Sequence, residues 1–519
     1  MKKITILQTS DIHGSIYPLT YANNEKADVG LGKLATKIKQ ERAVDEQLLL
    51  IDNGDLIQGT PLTYFYVQFL KKKGNPMISL LNHLSYDAAI IGNHEFNYGL
   101  NVLNRAVQAS NFPWLSANCI SLHTGDPYFG KPYLIKVVNS VKIAILGVTT
   151  HYIPNWEDEQ NITGLAFKDS LQETKKWVAH IREIERPDVV IVSYHGGFER
   201  DLKTGEPTEP LTGENQGFAI CHEVEGIDVL LTGHQHRALT GNVNGVEIVQ
   251  PSNNGQMLGK VILTLNEQNE IITKTSELLR MEEVEADQEI LNLTSDIEAD
   301  TQKWLDQPIG KIEGDMVIAD AFSVRTSEHP AIEFINKVQM EVAGVDISAT
   351  SLFNNLSPGF GTNVTMRDII SNYMFPNTLK VLCVSGQDIK DALEQSASYF
   401  VLNETGGLEV NRTFIEPKPQ HYNYDMWEGI EYVLDIRNPI GQRVTALHYR
   451  GEPLQMDGKY QVVMNNYRAG GGGNYTMFKD KPIVKEIPLD MTEIITNYIL
   501  ARHTVKATVN HNWKVVWQS

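Results

Sequence analysis

Five short apolar segments in this chain each lead to residues that can bind a metal ion. They are residues 4–7 before Asp11 and His13, 48–51 before Asp55, 88–91 before Asn93 and His94, 189–192 before His195, and 229–231 before His234 and His236. Buried parallel strands are continuous runs of Val, Ile and Leu, and open α/β sheets bind ligands beyond the carboxyl ends of their strands. We therefore expect one sheet to gather the five strand ends into a single metal site.

The length and charge of the chain limit its architecture and its partners. A chain of 519 residues exceeds what one core usually holds, so we expect two domains of roughly 200 residues or more. The net charge of −19 disfavours a nucleic-acid polymer, because binding DNA or RNA depends mostly on Lys and Arg that neutralise phosphates. A small nucleotide remains compatible, since metal ions can neutralise its charge.

The cysteines and the apolar runs indicate no disulfide framework and no membrane anchor. Cys119, Cys221 and Cys383 are widely spaced, which also disfavours a thiolate metal site. No apolar run is long enough to span a bilayer. Polar Thr5 and Gln8 interrupt the apolar stretch near the N-terminus, unlike a signal peptide. As written, the sequence predicts a cytoplasmic protein, or an extracytoplasmic one if a leader has been removed.

The pattern of elements changes along the chain and suggests where the domains meet. Up to about residue 275, strand-type runs alternate with amphipathic stretches such as 31–42 and 171–184, which is typical of βαβ units around a mainly parallel sheet. Residues 282–304 are acidic, with apolar residues at roughly helical spacing. We expect a first domain over 1–281, a helical linker over 282–307 and a second α/β domain over 308–519. Within the second domain, helices are expected at 332–342 and 386–399, and strands at 378–384, 431–436 and 460–464.

The residues at the five strand ends combine carboxylate, imidazole and amide groups. Such ligands suit Mn²⁺, Fe²⁺, Co²⁺ or Zn²⁺ better than an ion that prefers thiolates. Two ions about 3.5 to 4 Å apart can bind both the attacking and the leaving oxygen of an in-line phosphoryl displacement. Asp55 is the natural bridge, because each of its two oxygens can face one ion. A lone histidine would be weak evidence, but chance does not readily place such residues after all five segments.

Two tyrosines of the second domain lie in polar, glycine-rich sequence. Tyr422 belongs to HYNYD and Tyr467 to NNYRAGGGGNY. Two rings can enclose a flat base, and such stacking contributes about 1 to 3 kcal/mol per base, while the glycines at 470–473 would let backbone N–H groups approach a ligand. The alternative is that the tyrosines are half-buried core residues and the glycines form a mobile loop. Both interpretations remain open at this point.

The ordered motifs DIHG, GD, GNHE, HGG and GHxH resemble those of the calcineurin-like metallophosphoesterases. The resemblance implies a β-sandwich flanked by helices, an αββα arrangement, with two divalent metal ions. It assigns Asp11, His13, Asp55 and His236 to the first ion, and Asp55, Asn93, His195 and His234 to the second. His94 takes the family's catalytic role, in which it stabilises developing charge or protonates the leaving oxygen.

The segments FPNTL, YNYD, NNYRAGGGG and NHNW resemble the C-terminal substrate-binding domain of the 5′-nucleotidase family. Within that family, GNHEFNYGL and DNGDLIQGTPL are most similar to the branch of 2′,3′-cyclic-nucleotide 2′-phosphodiesterases and 3′-nucleotidases. The resemblance implies that Tyr422 and Tyr467 enclose the base of a small nucleotide. It also implies that Asn377 and Gly471 lie near that pocket.

One position near His94 separates the branches of the family. Many 5′-nucleotidases have Asp three residues after the catalytic histidine, whereas this chain has Asn97. A neutral amide stabilises a protonated histidine less than a carboxylate does, so Asn97 and the final ligand His236, where 5′-nucleotidases can have Gln, both favour the cyclic-nucleotide branch. We therefore expect a hydrolase that opens 2′,3′-cyclic nucleotides and dephosphorylates 3′-nucleotides. A 5′-nucleotidase or nucleotide-sugar hydrolase is the alternative, and a non-catalytic binding protein is disfavoured because no ligand is missing.

Overall fold

The fold is given by a computed structural model, which describes every residue except Trp156, Pro210, Met374, Pro376, Pro488 and Ser519. By packing, the chain divides into two compact units, Met1–Thr301 and Gln302–Ser519. The domain limits expected from the sequence, at 281/282 and 307/308, stay predictions, and Pro376 of the FPNTL segment lies outside the described residues. None of the described helices is long and apolar enough to cross a membrane.

The first unit alternates strands and helices along most of its length. Its strands are β1 (Lys2–Thr9), β2 (Leu49–Asp52), β3 (Ala88–Ile90), β4 (Trp114–Leu115), β5 (Cys119–Ser121), β6 (Tyr133–Val138), β7 (Val141–Thr149), β8 (Leu165–Phe167), β9 (Val189–His195), β10 (Val229–Thr232), β11 (Ala238–Val243), β12 (Val246–Pro251), β13 (Met257–Leu265) and β14 (Ile271–Arg280). Its helices are α1 (Leu31–Val44), α2 (Pro61–Phe65), α3 (Pro76–His83), α4 (Leu100–Ala109), α5 (Ser170–His180), α6 (Gly217–Glu223), α7 (Gln288–Asn292) and α8 (Ser295–Leu305), of which α8 runs across the division between the units.

The first unit contains two six-stranded sheets and a two-stranded sheet of β5 and β8. The first has the order β14-β13-β1-β2-β3-β4 and the second the order β11-β12-β10-β9-β7-β6. Strands β1 to β4 are parallel neighbours, and so are β7, β9, β10 and β12. The sandwich implied by the family resemblance is confirmed. The expectation that one sheet carries all five strand ends is wrong, because three of them belong to the first sheet and two to the second.

Alternate residues of each strand explain both the sandwich and the helices that cover it. Ile6 and Ile51 of the first sheet pack with Ile145 and Ile191 of the second in one buried cluster. Leu7, on the opposite face of β1, packs in a separate cluster with residues of α1, α3 and α4. Burying each such side chain contributes about 1.5 to 3 kcal/mol. A strand that is buried on both faces has a continuous apolar sequence whether a sheet or a helix covers each face, so the runs alone did not reveal the second sheet.

Two helices, α7 and α8, lie in the segment that the sequence predicts as a helical linker. Asp287 caps α7, since its side chain accepts a hydrogen bond from the backbone N–H of Ile290 at 3.2 Å. The hydroxyl of Tyr17 donates to the carbonyl of Leu291 at 2.7 Å, so this part of the linker is hydrogen-bonded to the loop after β1. The apolar spacing in an acidic sequence therefore predicted the helices correctly.

The second unit has its own sheets and core. Its strands are β15 (Pro308–Glu313), β16 (Met316–Val317), β17 (Ile347–Ser351), β18 (Gly359–Phe360), β19 (Asn363–Thr365), β20 (Leu379–Ser385), β21 (Phe400–Leu402), β22 (Leu408–Val410), β23 (Asp425–Glu428), β24 (Glu431–Asp435), β25 (Val444–Tyr449), β26 (Glu452–Pro453), β27 (Lys459–Asn465), β28 (Ile483–Ile487), β29 (Thr504–Lys506) and β30 (Trp513–Val516). Its helices are α9 (Ala321–Thr326), α10 (Pro330–Ala343), α11 (Met366–Asn372), α12 (Gly386–Ala397), α13 (Asn466–Ala469) and α14 (Met491–Arg502).

A five-stranded sheet of order β23-β17-β27-β20-β28 is the centre of the second unit. Val462 and Met464 of β27 pack with Ile389 and Leu393 of α12 in its main core. Five elements that the sequence predicts in this unit are present, and their ends agree with the prediction to within two residues. The helices expected at 332–342 and 386–399 are α10 and α12, and the strands expected at 378–384, 431–436 and 460–464 are β20, β24 and β27.

Candidate metal centre and active site

The loops that follow β1 and β2 run side by side and bring three predicted ligands together. The backbone N–H of Asp11 donates to the carbonyl of Gly54 at 2.9 Å, and that of His13 donates to the carbonyl of Asp55 at 2.8 Å. Because β1 and β2 are parallel neighbours, these bonds continue their pairing beyond the strand ends. Gly92 approaches the same loop so closely that a side chain there would collide with Asp55 Oδ1.

Five of the seven predicted ligands have a left-handed backbone conformation. Their φ angles are 52° at Asp11, 51° at His13, 55° at Asp55, 67° at His234 and 57° at His236. A residue with a side chain adopts this conformation at a cost of about 1 to 2 kcal/mol, and such residues cluster at functional sites. The strain at these loops therefore has a functional explanation, because it directs five side chains toward one region.

One group of candidate ligands contains Asp11, His13 and His236. The Nε2 atoms of His13 and His236 are 3.1 Å apart, and His236 Nε2 lies 3.5 Å from Asp11 Oδ1. Two nitrogens bound to one tetrahedral zinc ion at their usual bond lengths are about 3.3 Å apart. The separations in this group therefore fit donor atoms that share one ion.

The second group contains Asp55, His195 and His234, with Asn93 beside them. Asp55 Oδ2 lies 3.2 Å from His195 Nε2, and Asn93 Oδ1 lies 3.1 Å from His195 Nε2 and 2.8 Å from His234 Nδ1. Asp55 Oδ2 is also 3.9 Å from His13 Nε2 in the first group. The structure thus brings all seven predicted ligands together, with Asp55 between the two groups.

Buried charge in these groups supports the fit of cations. Asp11 and Asp55 are 0% and 1% exposed, and although burial opposes ionisation, the neighbouring histidines hold the pKa of both carboxyls below the usual range. Burial lowers the pKa of His13 to about 4, which leaves the neutral imidazole that a metal needs. Burial would also lower the pKa of His195, but the Asp55 carboxylate raises it to about 10. Asp55 therefore attracts a positive charge to the position that the second ion would take.

His94 stands beside the two groups and is held at three points. Its backbone N–H donates to Asp55 Oδ1 at 2.8 Å, and its ring centroid lies 5.2 Å from that of His13. Its Nδ1 is 2.7 Å from Asn97 Oδ1, so Nδ1 carries the hydrogen and Nε2 is the other nitrogen, available for a substrate. This arrangement fits the proton donor that the family resemblance implies.

Sequence reasoning missed a structural role for Glu95, which follows His94 in the GNHE motif. Glu95 is fully buried, and its carboxylate accepts hydrogen bonds from the backbone N–H groups of Gly92, Asp55 and Leu56 at 2.7, 2.8 and 2.6 Å. It therefore fixes the loop that carries Asp55 to the loop that carries Asn93.

Two further carboxylates contact the predicted site residues from the outside. Glu214 Oε1 accepts from His234 Nε2 at 2.9 Å, which directs the Nδ1 of His234 toward Asn93. Carboxylates in this position commonly orient the histidine ligands of metals. Glu157 Oε2 accepts from Asn97 Nδ2 at 2.7 Å. Neither glutamate lies in a recognisable motif, so no sequence signal indicates their positions.

In the second unit the structure brings Tyr422 and Tyr467 close together. Their ring centroids are 6.5 Å apart, and the ring planes make an angle of 69°. Both side chains are partly buried. A base between two rings needs them roughly parallel, so the pair has the right spacing, and one ring must turn before both can stack on the same base.

A buried arginine connects the segments that carry these tyrosines. Arg468 forms a bidentate ion pair with Asp425 and donates to the carbonyl of Tyr422 at 3.1 Å and to that of Gly472. A Cβ at Gly472 would lie 2.6 Å from the ring of Tyr467, so this glycine is needed for packing against the ring. The network also escaped sequence reasoning.

The other two predicted pocket residues have evident backbone roles. Gly471 has a left-handed φ of 90°, which explains a glycine there without any ligand. Asn377 accepts a hydrogen bond at its carbonyl from Met491 N–H at 2.9 Å. The next residue, Thr378, pairs through its backbone with Asn466, which places Asn377 near the helix that carries Tyr467.

Comparisons with known proteins identify a family domain in each unit. The calcineurin-like phosphoesterase family matches residues 4–238, and the 5′-nucleotidase C-terminal domain matches residues 308–480. A solved Staphylococcus aureus protein, provisionally named a 5′-nucleotidase and containing bound α-ketoglutarate, is 34% identical with a TM-score of 0.91, and the alignment covers 99% of this chain and 100% of that one.

Several curated relatives match along 99% of this chain, two of which are as follows. The trifunctional nucleotide phosphoesterase protein YfkN of Bacillus subtilis is 27% identical, and this chain spans only 39% of its length. The 2′,3′-cyclic-nucleotide 2′-phosphodiesterase/3′-nucleotidase of Haemophilus influenzae is 28% identical, and this chain spans 87% of it. The chain therefore belongs to the 5′-nucleotidase family of metal-dependent phosphoesterases, with a calcineurin-like phosphoesterase domain in its first unit and a 5′-nucleotidase C-terminal domain in its second.

Proposed function

We propose that this protein is a two-metal hydrolase of small nucleotides that opens 2′,3′-cyclic nucleotides to 3′-nucleotides and dephosphorylates 3′-nucleotides to nucleosides. The observation that carries the proposal is the position of Asp55, whose Oδ2 borders both ligand groups at 3.9 Å from His13 Nε2 and 3.2 Å from His195 Nε2. Relatives named as nucleotide phosphoesterase and as cyclic-nucleotide phosphodiesterase support this substrate class.

The two ligand groups suit divalent ions such as Mn²⁺, Zn²⁺, Co²⁺ or Fe²⁺. Asp11, His13, Asp55 and His236 would hold one ion, and Asp55, Asn93, His195 and His234 the other. When bound, such ions supply Lewis acidity toward the phosphate oxygens and toward an attacking water. The chain itself contributes the fixed positions of these side chains, which the left-handed loops and Glu95 maintain.

His94 is the residue that we propose protonates the leaving oxygen. In ring opening, water attacks phosphorus, the bond between phosphorus and the 2′ oxygen breaks, and that oxygen takes up a proton. With Nδ1–H donated to Asn97 Oδ1, the doubly protonated form of His94 presents an N–H at Nε2. Positioned proton donors of this kind accelerate reactions by roughly 10²- to 10⁴-fold.

The second unit would bind the base through Tyr422 and Tyr467. Their centroid separation of 6.5 Å is close to twice the thickness of an aromatic ring, so a base fits between them once the planes align. Stacking accepts any base, because every base has a π face. The tyrosines therefore provide affinity without a strong preference among bases.

The alternative function is that of a 5′-nucleotidase or nucleotide-sugar hydrolase. The observation in its favour is the match to the Staphylococcus aureus protein that is provisionally named a 5′-nucleotidase. Against it stands Asn97, since a neutral amide contacts His94 at 2.7 Å where many 5′-nucleotidases have a carboxylate. The amide at position 97 contacts His94, the residue that we propose protonates the leaving oxygen, so it bears directly on the choice between the two functions.

A substrate panel tests the proposal and separates it from the alternative. The purified protein with added Mn²⁺ is assayed on 2′,3′-cyclic AMP, 3′-AMP and 5′-AMP, and we expect kcat/KM to be highest on the first two. A higher kcat/KM on 5′-AMP would favour the alternative. The assay is repeated with Zn²⁺, Co²⁺ and Fe²⁺, and no hydrolysis of any of the three substrates with any of the four ions would contradict both functions.

Substitution at Asp55 tests whether the two ions share a ligand. We expect Asp55→Asn to remove activity and to lower the content of bound metal together. The exposed Asp126→Asn is the control and should change neither.

A further inference from the structure

The hydrogen bond between Asn97 and Glu157 extends the site beyond the residues that the family motif supplies. Asn97 Oδ1 faces His94 Nδ1 at 2.7 Å, and Asn97 Nδ2 donates to Glu157 Oε2 at 2.7 Å. The amide therefore joins the imidazole to a carboxylate through two short bonds. Glu157 comes from a different loop, 60 residues along the chain.

Glu157 is surrounded by donors, which fixes its role as an acceptor. Its Oε1 accepts from Asn161 Nδ2 at 2.8 Å and from the backbone N–H of Asp158 at 2.9 Å, while Oε2 accepts from Asn97. Three donors on two oxygens match an ionised carboxylate, which has no hydrogen to donate. The same Asn161 amide group reaches the carbonyl of Asn97 at 3.3 Å, so the two loops are joined at a second point.

The acceptor character of Glu157 determines which way the Asn97 amide points. Asn97 must direct its NH₂ group to Glu157, because an amide oxygen there would face a carboxylate without a hydrogen between them. Its Oδ1 then faces His94 and accepts from Nδ1–H. Only this orientation lets His94 carry hydrogens on both nitrogens, since a reversed amide would place a second donor against Nδ1–H.

We propose that Glu157 is a positioning residue that acts through Asn97 to keep the Nδ1–H of His94 bonded and its Nε2 directed to the substrate. The inference rests on the proposed function, in which His94 protonates the leaving oxygen. An Asp at position 97 would place a negative charge directly beside His94. In this chain the negative charge is that of Glu157, and the amide of Asn97 separates it from the histidine. The chain thus retains an oriented histidine although position 97 is neutral.

The variant Glu157→Gln reverses the chain of hydrogen bonds with little change in shape. The new amide keeps its oxygen toward the two donors, Asn161 and the backbone of Asp158, and turns its NH₂ group toward Asn97. Asn97 must then reverse, which places its NH₂ group against His94 Nδ1. Glu159→Gln, an exposed substitution in the same loop, is the matched control.

The leaving group distinguishes a positioning role from general damage to the site. A 2′ or 3′ alkoxide needs a proton as it leaves, whereas p-nitrophenolate leaves as a stable anion. We expect Glu157→Gln to lower kcat on 3′-AMP and 2′,3′-cyclic AMP by about 10-fold or more, with KM and bound metal unchanged and with hydrolysis of bis(p-nitrophenyl) phosphate within about 2-fold of the parent protein. Equal losses on all three substrates would overturn the proposal.

A rescue experiment adds a second criterion. A carboxylate at position 97 would accept from His94 directly and from the new amide at position 157, so Asn97→Asp combined with Glu157→Gln should restore kcat on nucleotides to near that of the parent protein. Asn97→Asp alone places two carboxylates together, so its kcat on nucleotides should not exceed that of the double variant. Simple additivity of the two losses would contradict coupling through one network.

The hydrogen position on His94 can be measured without any assay of activity. In the zinc-loaded protein, ¹⁵N NMR of the histidine rings, with the His94 signal identified by His94→Asn, should show Nδ1 protonated in the parent chain and Nε2 alone protonated in Glu157→Gln at high pH. The same ring state in both proteins would overturn the proposal. This measurement decides the matter even if the parent protein fails to hydrolyse nucleotides, an outcome that would refute only the proposed function.

Discussion

Arg468 and Asp425 form a buried, bidentate ion pair that holds the two tyrosine-bearing segments of the second unit together. Arg468 Nε donates to Asp425 Oδ2 at 2.7 Å and its Nη2 to Oδ1 at 3.0 Å, and the side chains are only 2% and 4% exposed. The guanidinium also lies 3.9 Å from the centre of the Tyr475 ring. One arginine therefore satisfies a buried carboxylate, two carbonyls and an aromatic face.

Removing one member of this pair should destabilise the second unit strongly. Arg468→Met leaves the Asp425 carboxylate buried without its partner, and losses of this kind are about 3 to 5 kcal/mol. Urea unfolding followed by tryptophan fluorescence measures the change. Arg437→Met is the control, because Arg437 bonds Asp435 at the surface with 48% of its side chain exposed, where ion pairs contribute about 1 kcal/mol or less. Similar losses in the two variants would contradict the prediction.

Loss of either tyrosine should weaken nucleotide binding and leave the chemistry intact. We expect Tyr422→Ala or Tyr467→Ala to raise KM for 3′-AMP by roughly 5- to 100-fold, since each removes one stacking face. Hydrolysis of bis(p-nitrophenyl) phosphate, which has no base, should change little. Tyr422→Phe and Tyr467→Phe retain the rings and serve as controls. A crystal structure with bound nucleoside should show a ring angle well below the present 69°, and equal effects on both substrates would argue against stacking.

Glu214 should affect the affinity of one metal position and spare the other. Its carboxylate accepts from His234 Nε2 at 2.9 Å and so orients the nitrogen that faces Asn93. Loss of such an outer carboxylate typically costs 10- to 100-fold in metal affinity, so Glu214→Ala should weaken one of the two binding steps in a titration of Zn²⁺ against a chelator. The exposed Glu206→Ala in the same loop is the control. If the affinities of both Zn²⁺ binding steps are unchanged, Glu214 does not support metal binding through His234.

The predicted ligands could be identified from the sequence because each lies at the end of a strand or within a few residues after it. His195 is the last residue of β9, and Asp55 comes three residues after β2 ends, so local patterns identify them. The apolar runs did not show how the strands divide between two sheets, which only the family resemblance implied, since Ile6 and Leu7 are equally apolar although they face a sheet and helices, respectively. Apolar sequence records burial and does not record which element covers each face.

The supporting residues were not predictable for a different reason. Glu157 acts on Asn97 across 60 residues, and Glu214 acts on His234 across 20. Each lies in a loop without periodicity, and its importance comes entirely from a partner that the fold brings near. Arg468 is similar, because its position after Tyr467 is visible in the sequence while its bond to Asp425, 43 residues earlier, is not.

A carboxyl pair in the second unit should make its stability depend on pH. Burial, and to a smaller extent a hydrogen bond with Glu333, raises the pKa of Glu328 to about 7. Glu333 is almost fully buried and also bonds Lys337 and the backbone N–H of Asn510. A carboxyl whose pKa is raised by folding stabilises the folded state below its unfolded value of about 4.5. That contribution is lost as the pH rises through 7.

Glu328→Gln isolates this contribution, because its amide can donate to Glu333 at any pH. Between about pH 5 and pH 8, the free energy of unfolding of the parent protein should fall relative to that of the variant by on the order of 1 kcal/mol, since the group is only partly buried and solvent reduces the full effect. Glu404→Gln, at an exposed position, should follow the parent curve. Urea unfolding at several pH values measures the difference, and a constant offset between Glu328→Gln and the parent across this range would show that Glu328 and Glu333 do not share a proton.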